Sequence, residues 1–161
     1  MTPLKYFAIK LNEKLKKNIK HADMDILGNF YGEFVKYGGS DGNSLGIVLT
    51  PRHITNLMCE LIDINENDYV LDPCCGSGGF LIAAMNKMLN QTTDESKKAH
   101  IKQEQLHGIE LQQKLFTIAT TNMILRGDGK SNLKRDDIFH VEKDLYTDKI
   151  TKALILSLIH I

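Results

Sequence analysis

The sequence predicts an α/β fold, a doubly wound parallel sheet with helices ahead of it, and three observations carry that prediction. Residues 69–80, YVLDPCCGSGGF, read as a strand, a glycine-rich turn and the start of a helix. Residues 105–110 form a second short apolar stretch ending in an acid, and another helical stripe follows it. The composition, 42% hydrophobic and 25% charged over 161 residues, suits one modest domain with a core of its own.

Taken in order, Ala8, Leu11, Leu15 and Ile19 share one face of a first helix whose other face carries lysines. Leu27, Phe30, Tyr31, Phe34 and Val35 mark a second helix, and the Gly-rich segment at 38–49 reads as a linker. Thr50 is expected as the N-cap and Pro51 as the first residue of a third helix. Its apolar stripe is Ile54, Leu57, Met58, Leu61 and Ile62. Tyr69, Val70 and Leu71 suit a strand buried on both faces, Asp72 ends it, and Pro73 stops it. Gly76, Gly78 and Gly79 lack Cβ, so the turn can take positive φ and bring backbone close to a ligand. Phe80, Leu81, Ala84, Met85, Met88 and Leu89 then recur at helical spacing, predicting a helix from 80 to about 89. The polar run at 90–98 reads as an exposed loop, and 105–110 as the second strand. His107 reads as a satisfied histidine at the strand edge. Leu115, Ile118, Ala119, Asn122 and Leu125 make the next helix face, ended by Gly127 and Gly129. A buried Asn122 would suit a partner for loop backbone. LKRDDIF supplies a third strand running into an acidic turn, and residues 150–155 begin a fourth.

Charge and cysteines narrow the function classes. The net charge is zero, so no overall field draws the chain to nucleic acid. The first twenty residues nonetheless hold six lysines against one glutamate, either a solvated helix face or a DNA contact. Of the three cysteines, Cys74 and Cys75 are adjacent and Cys59 stands apart. Neighbouring cysteines pair poorly and no zinc spacing is present, so the reading is a reduced, cytoplasmic protein without a metal centre. No apolar run reaches membrane length.

The turn itself discriminates between ligands. A dinucleotide loop uses G-x-G-x-x-G, whereas this one reads G-x-G-G behind the strand-end carboxylate Asp72. A carboxylate beside a pyrophosphate is repulsive, but it suits a ligand bearing a cation. S-adenosylmethionine carries an ammonium and a sulfonium and no phosphate, so the arrangement favours it over NAD. Taken alone, the loop is equally readable as a structural turn.

Three stretches together resemble one family. DPCCGSGGF looks like the cofactor motif of adenine-specific (N6) DNA methyltransferases, particularly the modification subunit of type I restriction–modification systems. GIVLTP at 46–51 is similar to its Thr-Pro motif, and HGIEL at 107–111 to its second strand. The resemblance implies a Rossmann-like methyltransferase sheet in the order 3-2-1-4 spanning 50–155, after the end of a helical region at 1–37. It implies that Thr50 and Pro51 close over the methionine end of the cofactor. Asp72, Pro73, Cys74, Gly76, Ser77, Gly78, Gly79 and Phe80 form the cofactor loop, Glu110 holds the ribose hydroxyls, and Asp137, more than Asp136, meets the adenine. The implied partners are double-stranded DNA with a flipped adenine and the specificity and restriction subunits, with no membrane. A stand-alone type II or fused restriction–methylation enzyme of the same subclass is the alternative, as is a non-catalytic cofactor-binding fragment.

The family grips the target base with Asn-Pro-Pro-Tyr or Asn-Pro-Pro-Phe after its fourth strand. Here the prolines are Pro3, Pro51 and Pro73 only, so no catalytic residue is assigned. Residues 156–161, LSLIHI, read as a non-native tail resembling one frame of a sequencing adapter. The expectation is a chain cut before that motif, with later strands missing, an uncovered sheet edge, poor solubility and no activity by itself.

Overall fold

A computed structural model describes Tyr6, Glu13 and residues 50–127, 132–140 and 149–154. The two N-terminal helical stripes apart from Tyr6 and Glu13, the linker, residues 46–49, Gly129 and residues 155–161 lie outside the described residues. Tyr6 and Glu13 are each helical and exposed.

The described residues alternate helix and strand as the sequence pattern requires. Helix α1 (Arg52–Leu61) precedes strand β1 (Val70–Asp72). Helices α2 (Gly79–Leu89) and α3 (Glu95–Glu104) together form the crossover to β2 (Leu106–Ile109). Helix α4 (Gln113–Leu125) leads to β3 (Asn132–Lys134), and β4 (Lys152–Ala153) follows. All strand pairs are parallel and the sheet order is β3-β2-β1-β4, as expected from the sequence. The register pairs Asp72 with Gly108 and Gly108 with Leu133, so the carboxyl ends of β1, β2 and β3 lie side by side. In open sheets of this kind the crevice beyond those ends is where ligands bind.

The core forms where α2 covers the sheet. Phe80, Leu81, Ile82, Ala83, Ala84, Met85 and Met88 are all buried, which is why this helix lacks a polar face in its first two turns. Ile64, Val70, Leu106, Ile101 and Leu154 complete the same cluster. Gly108 sits in the middle of it. A Cβ there would lie 2.6 Å from Leu133 Cδ2 and 2.9 Å from Leu81 Cδ1, so only glycine lets β2 approach α2 and β3 this closely.

Four expectations need correction. Thr50 is not the cap of α1. Pro51, in extended conformation, occupies the N-cap position without a side-chain hydrogen bond, and the helix begins at Arg52. The carbonyl of Pro51 accepts from Ile54 N at 2.9 Å, so the proline precedes the first turn. The stripe of α1 is rotated as well: Thr55 and Cys59 are buried, while Leu57 and Leu61 are exposed. The polar run at 90–98 is a loop only as far as Asp94, whose side chain accepts from Ser96 N at 2.8 Å and caps α3. Helix α3 buries Ile101 alone, so it has almost no apolar period by which to be recognised. His107 is half-buried and satisfied, its Nε2 3.0 Å from Glu104 O, but β2 has a neighbour on both sides and is no sheet edge.

The strands are also shorter than their apolar patterns. β3 ends at Lys134 and β4 holds two residues, so the described outer strand beside β1 is short.

Candidate functional site

The turn after β1 is fixed to the strand ends by hydrogen bonds from four directions. Asp72 Oδ1 accepts from Cys74 N at 3.1 Å, closing the chain on itself at Pro73. Cys75 N donates to Ile109 O at 2.9 Å, docking the turn on the end of β2. Gly76 N donates to Glu110 Oε2 at 2.9 Å, and Asn122 Nδ2 of α4 donates to Ser77 O at 2.9 Å. Gly76 and Gly78 have φ of +54° and +88°, a region that costs other residues about 1–2 kcal/mol. Gly78 is the N-cap of α2, and Gly79 begins the helix. Among the described residues no side chain caps that N-terminus and its first turn holds no acid, so its first amides are left for an acceptor from outside the helix.

Glu110 is buried just beyond β2, and its two oxygens hold two loops together. Oε2 takes the Gly76 amide and Oε1 takes the Gln112 amide at 2.7 Å. Each oxygen has a second lone pair left for a donor. The separation of Gly76 and Glu110 in sequence, 34 positions, is filled by α2 and α3 and does not prevent the contact.

Asp72 is the unusual member. It is 2% exposed, and among the described residues its buried Oδ2 has no hydrogen-bond partner. Burial above all, with the nearby Glu110 charge adding to it and the Cys74 N–H opposing, pushes its carboxyl up to about 7. A buried, half-satisfied carboxylate of this kind costs stability unless a cation or donor meets it.

The third carboxylate arrives from β3. Asp137 is half-buried, with Oδ1 accepting from Phe139 N at 3.0 Å and Oδ2 lying 3.0 Å from His140 Nδ1. Its neighbour Asp136 turns elsewhere, paired with Lys134 at 2.8 Å, which with the Asp137 N–H holds its carboxyl below the usual range. The convergence shows at Cys74. Its thiol is exposed yet raised, by desolvation first and then by Asp72, Glu110 and Asp137 together. The charges of Asp72 at the end of β1, Glu110 just beyond β2 and Asp137 in the turn after β3 thus all act on the mouth of the turn. Pro73, Cys75 and Phe80 are buried beneath it.

Of the residues expected from sequence, Asp72, Pro73, Cys74, Gly76, Ser77, Gly78, Gly79, Phe80, Glu110 and Asp137 are brought to one end of the sheet. Thr50 and Pro51 are not tied to them. They stand at the N-terminal end of α1, which packs on α2, and no hydrogen bond links them to the turn among the described residues. Asn122 does contact loop backbone, as its position in a buried face suggested. Gln112 was missed, because it acts through its backbone amide and side-chain type carries no signal for that.

Chemically, the arrangement suits a cation held against an adenine-like or sugar-like body, and it would repel a pyrophosphate. Among the described residues no group of three metal-ligating side chains occurs.

Comparison with known proteins shows the family and the fold. The family model described as N-6 DNA Methylase matches residues 22–154. The chain is 70% identical over 138 residues to the type II restriction enzyme and methyltransferase RM.BcgI of Heyndrickxia coagulans, covering 85% of this chain and 22% of that protein. It is 32% identical over 102 residues to the type I restriction enzyme EcoEI methylase subunit of Escherichia coli, covering 63% and 21%. Among solved structures, a chain of a type I R-M system superposes with a TM-score of 0.57 at 24% identity, covering 70% of this chain and 23% of that one. The type I restriction enzyme EcoKI M protein gives 0.51 at 19%, covering 70% and 33%. These structural likenesses speak to the fold. The chain spans about a fifth of the length of the curated relatives it matches.

Proposed function

The chain belongs to the N-6 DNA methylase family, and on that premise we propose that residues 50–155 are the cofactor-binding half of a DNA adenine-N6 methyltransferase of a restriction–modification system. One observation carries the reading: Asp72 Oδ2 is buried without a partner among the described residues, at a turn on which the Glu110 and Asp137 charges also act. A cationic ligand relieves that arrangement, and an anionic one worsens it. S-adenosylmethionine fits, and when bound it supplies a sulfonium-activated methyl group to the exocyclic nitrogen of a flipped adenine.

The chain's own part is to bind and orient. Asp72 takes the ammonium side of the ligand. The backbone of Gly76, Ser77, Gly78 and Gly79 permits close approach, with Pro73, Cys74 and Phe80 shaping the turn. Glu110 offers its remaining lone pairs to ribose hydroxyls, and Asp137 accepts from the adenine amino group. Thr50 and Pro51 close the methionine end from the start of α1. Holding donor and acceptor in line accounts for most of the rate gain in such transfers.

The whole protein's partners follow from the same reading: double-stranded DNA, and specificity and restriction subunits if the organisation is type I. Similarity to several type I methylase subunits supports that organisation. The 70% identity to RM.BcgI favours a second reading, a type II polypeptide combining restriction and methylation. Purifying the native protein separates them: one chain that both cleaves and methylates DNA supports the fused enzyme, and a methylase needing separate subunits supports type I.

Calorimetric titration of the 161-residue chain tests the cofactor reading. S-adenosylmethionine should bind and NAD should not. Binding of NAD without binding of S-adenosylmethionine would overturn it. Adenine methylation by the full-length native protein is the matching test of the reaction.

A further inference from the structure

We propose that cofactor binding at this site is coupled to proton release from Asp72, so that the carboxyl acts as a proton-operated latch on the empty turn. The inference rests on the reading of the turn as a sulfonium-cofactor site and adds its regulation.

The geometry leads there in three steps. First, Asp72 is enclosed: it is 2% exposed, and only Oδ1 has a donor, the Cys74 amide. Its Oδ2 is buried and, among the described residues, has no hydrogen bond to stabilise a negative charge. Second, the titratable groups around it are of the wrong kind to compensate. Glu110 lies beyond β2, Cys74 and Cys75 on the turn, Cys59 on α1, and Asp137 reaches Cys74 from beyond β3. Among the described residues, Lys87 of α2 acts on Cys59 and is held by Glu60 and Cys59 O at 2.8 and 3.1 Å, and Arg126 just after α4 is bonded to Asn122. His140 pairs with Asp137 and not with Asp72. Third, Glu110 accepts the Gly76 and Gln112 amides and is held beside the turn by them, where it adds to the unfavourable surroundings of an ionised Asp72.

Burial and the Glu110 charge put the Asp72 carboxyl at about 7, so the empty protein is a mixture of both forms near neutral pH. A ligand cation close to the Asp72 carboxyl favours its ionised form, and the proton leaves to solvent as the ligand enters. Proton and ligand thus compete for one carboxyl, and a drop in pH weakens binding.

The test is calorimetric titration with S-adenosylmethionine in buffers of different ionisation enthalpy, at pH 5.5 and 7.0. That range lies below about 7.7–8.0, where the ligand's own α-amino group titrates. The expected result is release of about one proton per ligand at the lower pH and about half a proton at the higher, with affinity roughly fifteenfold tighter at the higher. Binding with no proton release and no pH dependence over this range overturns the latch and leaves the cofactor reading standing. Absence of binding at either pH overturns both. A second measurement needs no ligand: the carboxyl carbon resonance of Asp72 should titrate near neutral pH in the empty chain, and titration near 4 overturns the proposal. Asp72→Asn should bind more weakly and release no proton.

Discussion

Asp72 concentrates an opposition between stability and binding in one side chain. In the folded chain its carboxyl titrates near 7, against an ordinary value of 3.8. Between those pH values the folded state holds a proton that the unfolded state has released. Stability therefore falls as pH rises through that window and stays low above it. The first prediction is that Asp72→Asn removes this slope. At pH 8 the empty variant should be more stable than the wild type by on the order of 1–4 kcal/mol, while near pH 4 the two should match. Urea unfolding at the two pH values measures it, and equal slopes for both proteins would contradict it. The second prediction concerns Gly108, where an added methyl would meet Leu133 Cδ2 at 2.6 Å and Leu81 Cδ1 at 2.9 Å. Both contacts are side-chain ends that can shift, so Gly108→Ala should cost about 1–3 kcal/mol and leave the fold intact. Thermal unfolding would report this as a lower Tm with an unchanged far-ultraviolet spectrum. At Gly76 the reason for glycine differs: nothing lies within 4 Å of a Cβ there, and φ of +54° alone demands it.

Between elements, Glu110 is the joint that sets the turn after β1 against the start of α4, through the Gly76 and Gln112 amides. Glu110→Gln retains one acceptor oxygen and turns the other into a donor that faces an N–H. The third prediction follows: the Gly76 or Gln112 amide loses protection, stability drops by about 1–3 kcal/mol, and cofactor affinity falls with the loosened turn. Amide exchange resolves which loop is released, and unchanged protection at both amides would count against the joint. The same elements show what could be read in advance. Strand β1, its turn and α2 were legible because apolar run, proline, glycines and helical stripe agree at every level. Asp72 and Glu110 were visible as acids because each closes an apolar stretch, whereas Asp137 follows Lys134, Arg135 and Asp136 and stood out only by resemblance. Helix α3 was not, because a helix resting on one buried residue, Ile101, has no period to detect. Its only advance sign was Asp94 two residues before Ser96, a capping pattern inside what reads as loop. The start of α1 misled in the opposite way: Thr-Pro fits a cap and first-turn pair, yet Pro51 takes the cap position itself. Leu57 and Leu61 fit the stripe by spacing and are exposed, so periodicity gave the helix but not its rotation.

For the molecule as a whole, the far end of the sheet decides whether four short strands act as one unit. β4 is two residues long and joins β1 across a separation of more than eighty positions, so ladder bonds alone give it little hold. Thr151 supplies the rest. Its hydroxyl donates to Asp68 Oδ1 at 2.7 Å and accepts from Tyr69 N at 2.9 Å, placing one side chain between the strand and the turn that feeds β1. Asp68 in turn takes the Asn65 amide and side chain on Oδ2, and its carbonyl receives the buried Gln105 side chain from the start of β2. The amino ends of β1, β2 and β4 thus meet in one polar knot, opposite the ligand end of the sheet. The fourth prediction is that Thr151→Val, nearly the same volume without the hydroxyl, leaves Tyr69 N and Asp68 Oδ1 short of a partner and costs about 1–3 kcal/mol. The loss should be local in kind: the Leu154 amide, bonded to Leu71 O at 2.9 Å, should exchange faster, while the Gly76 amide at the other end keeps its protection. If both amides lost protection together, the two ends of the sheet would be one cooperative unit, and Thr151 would bear on cofactor binding from across the sheet.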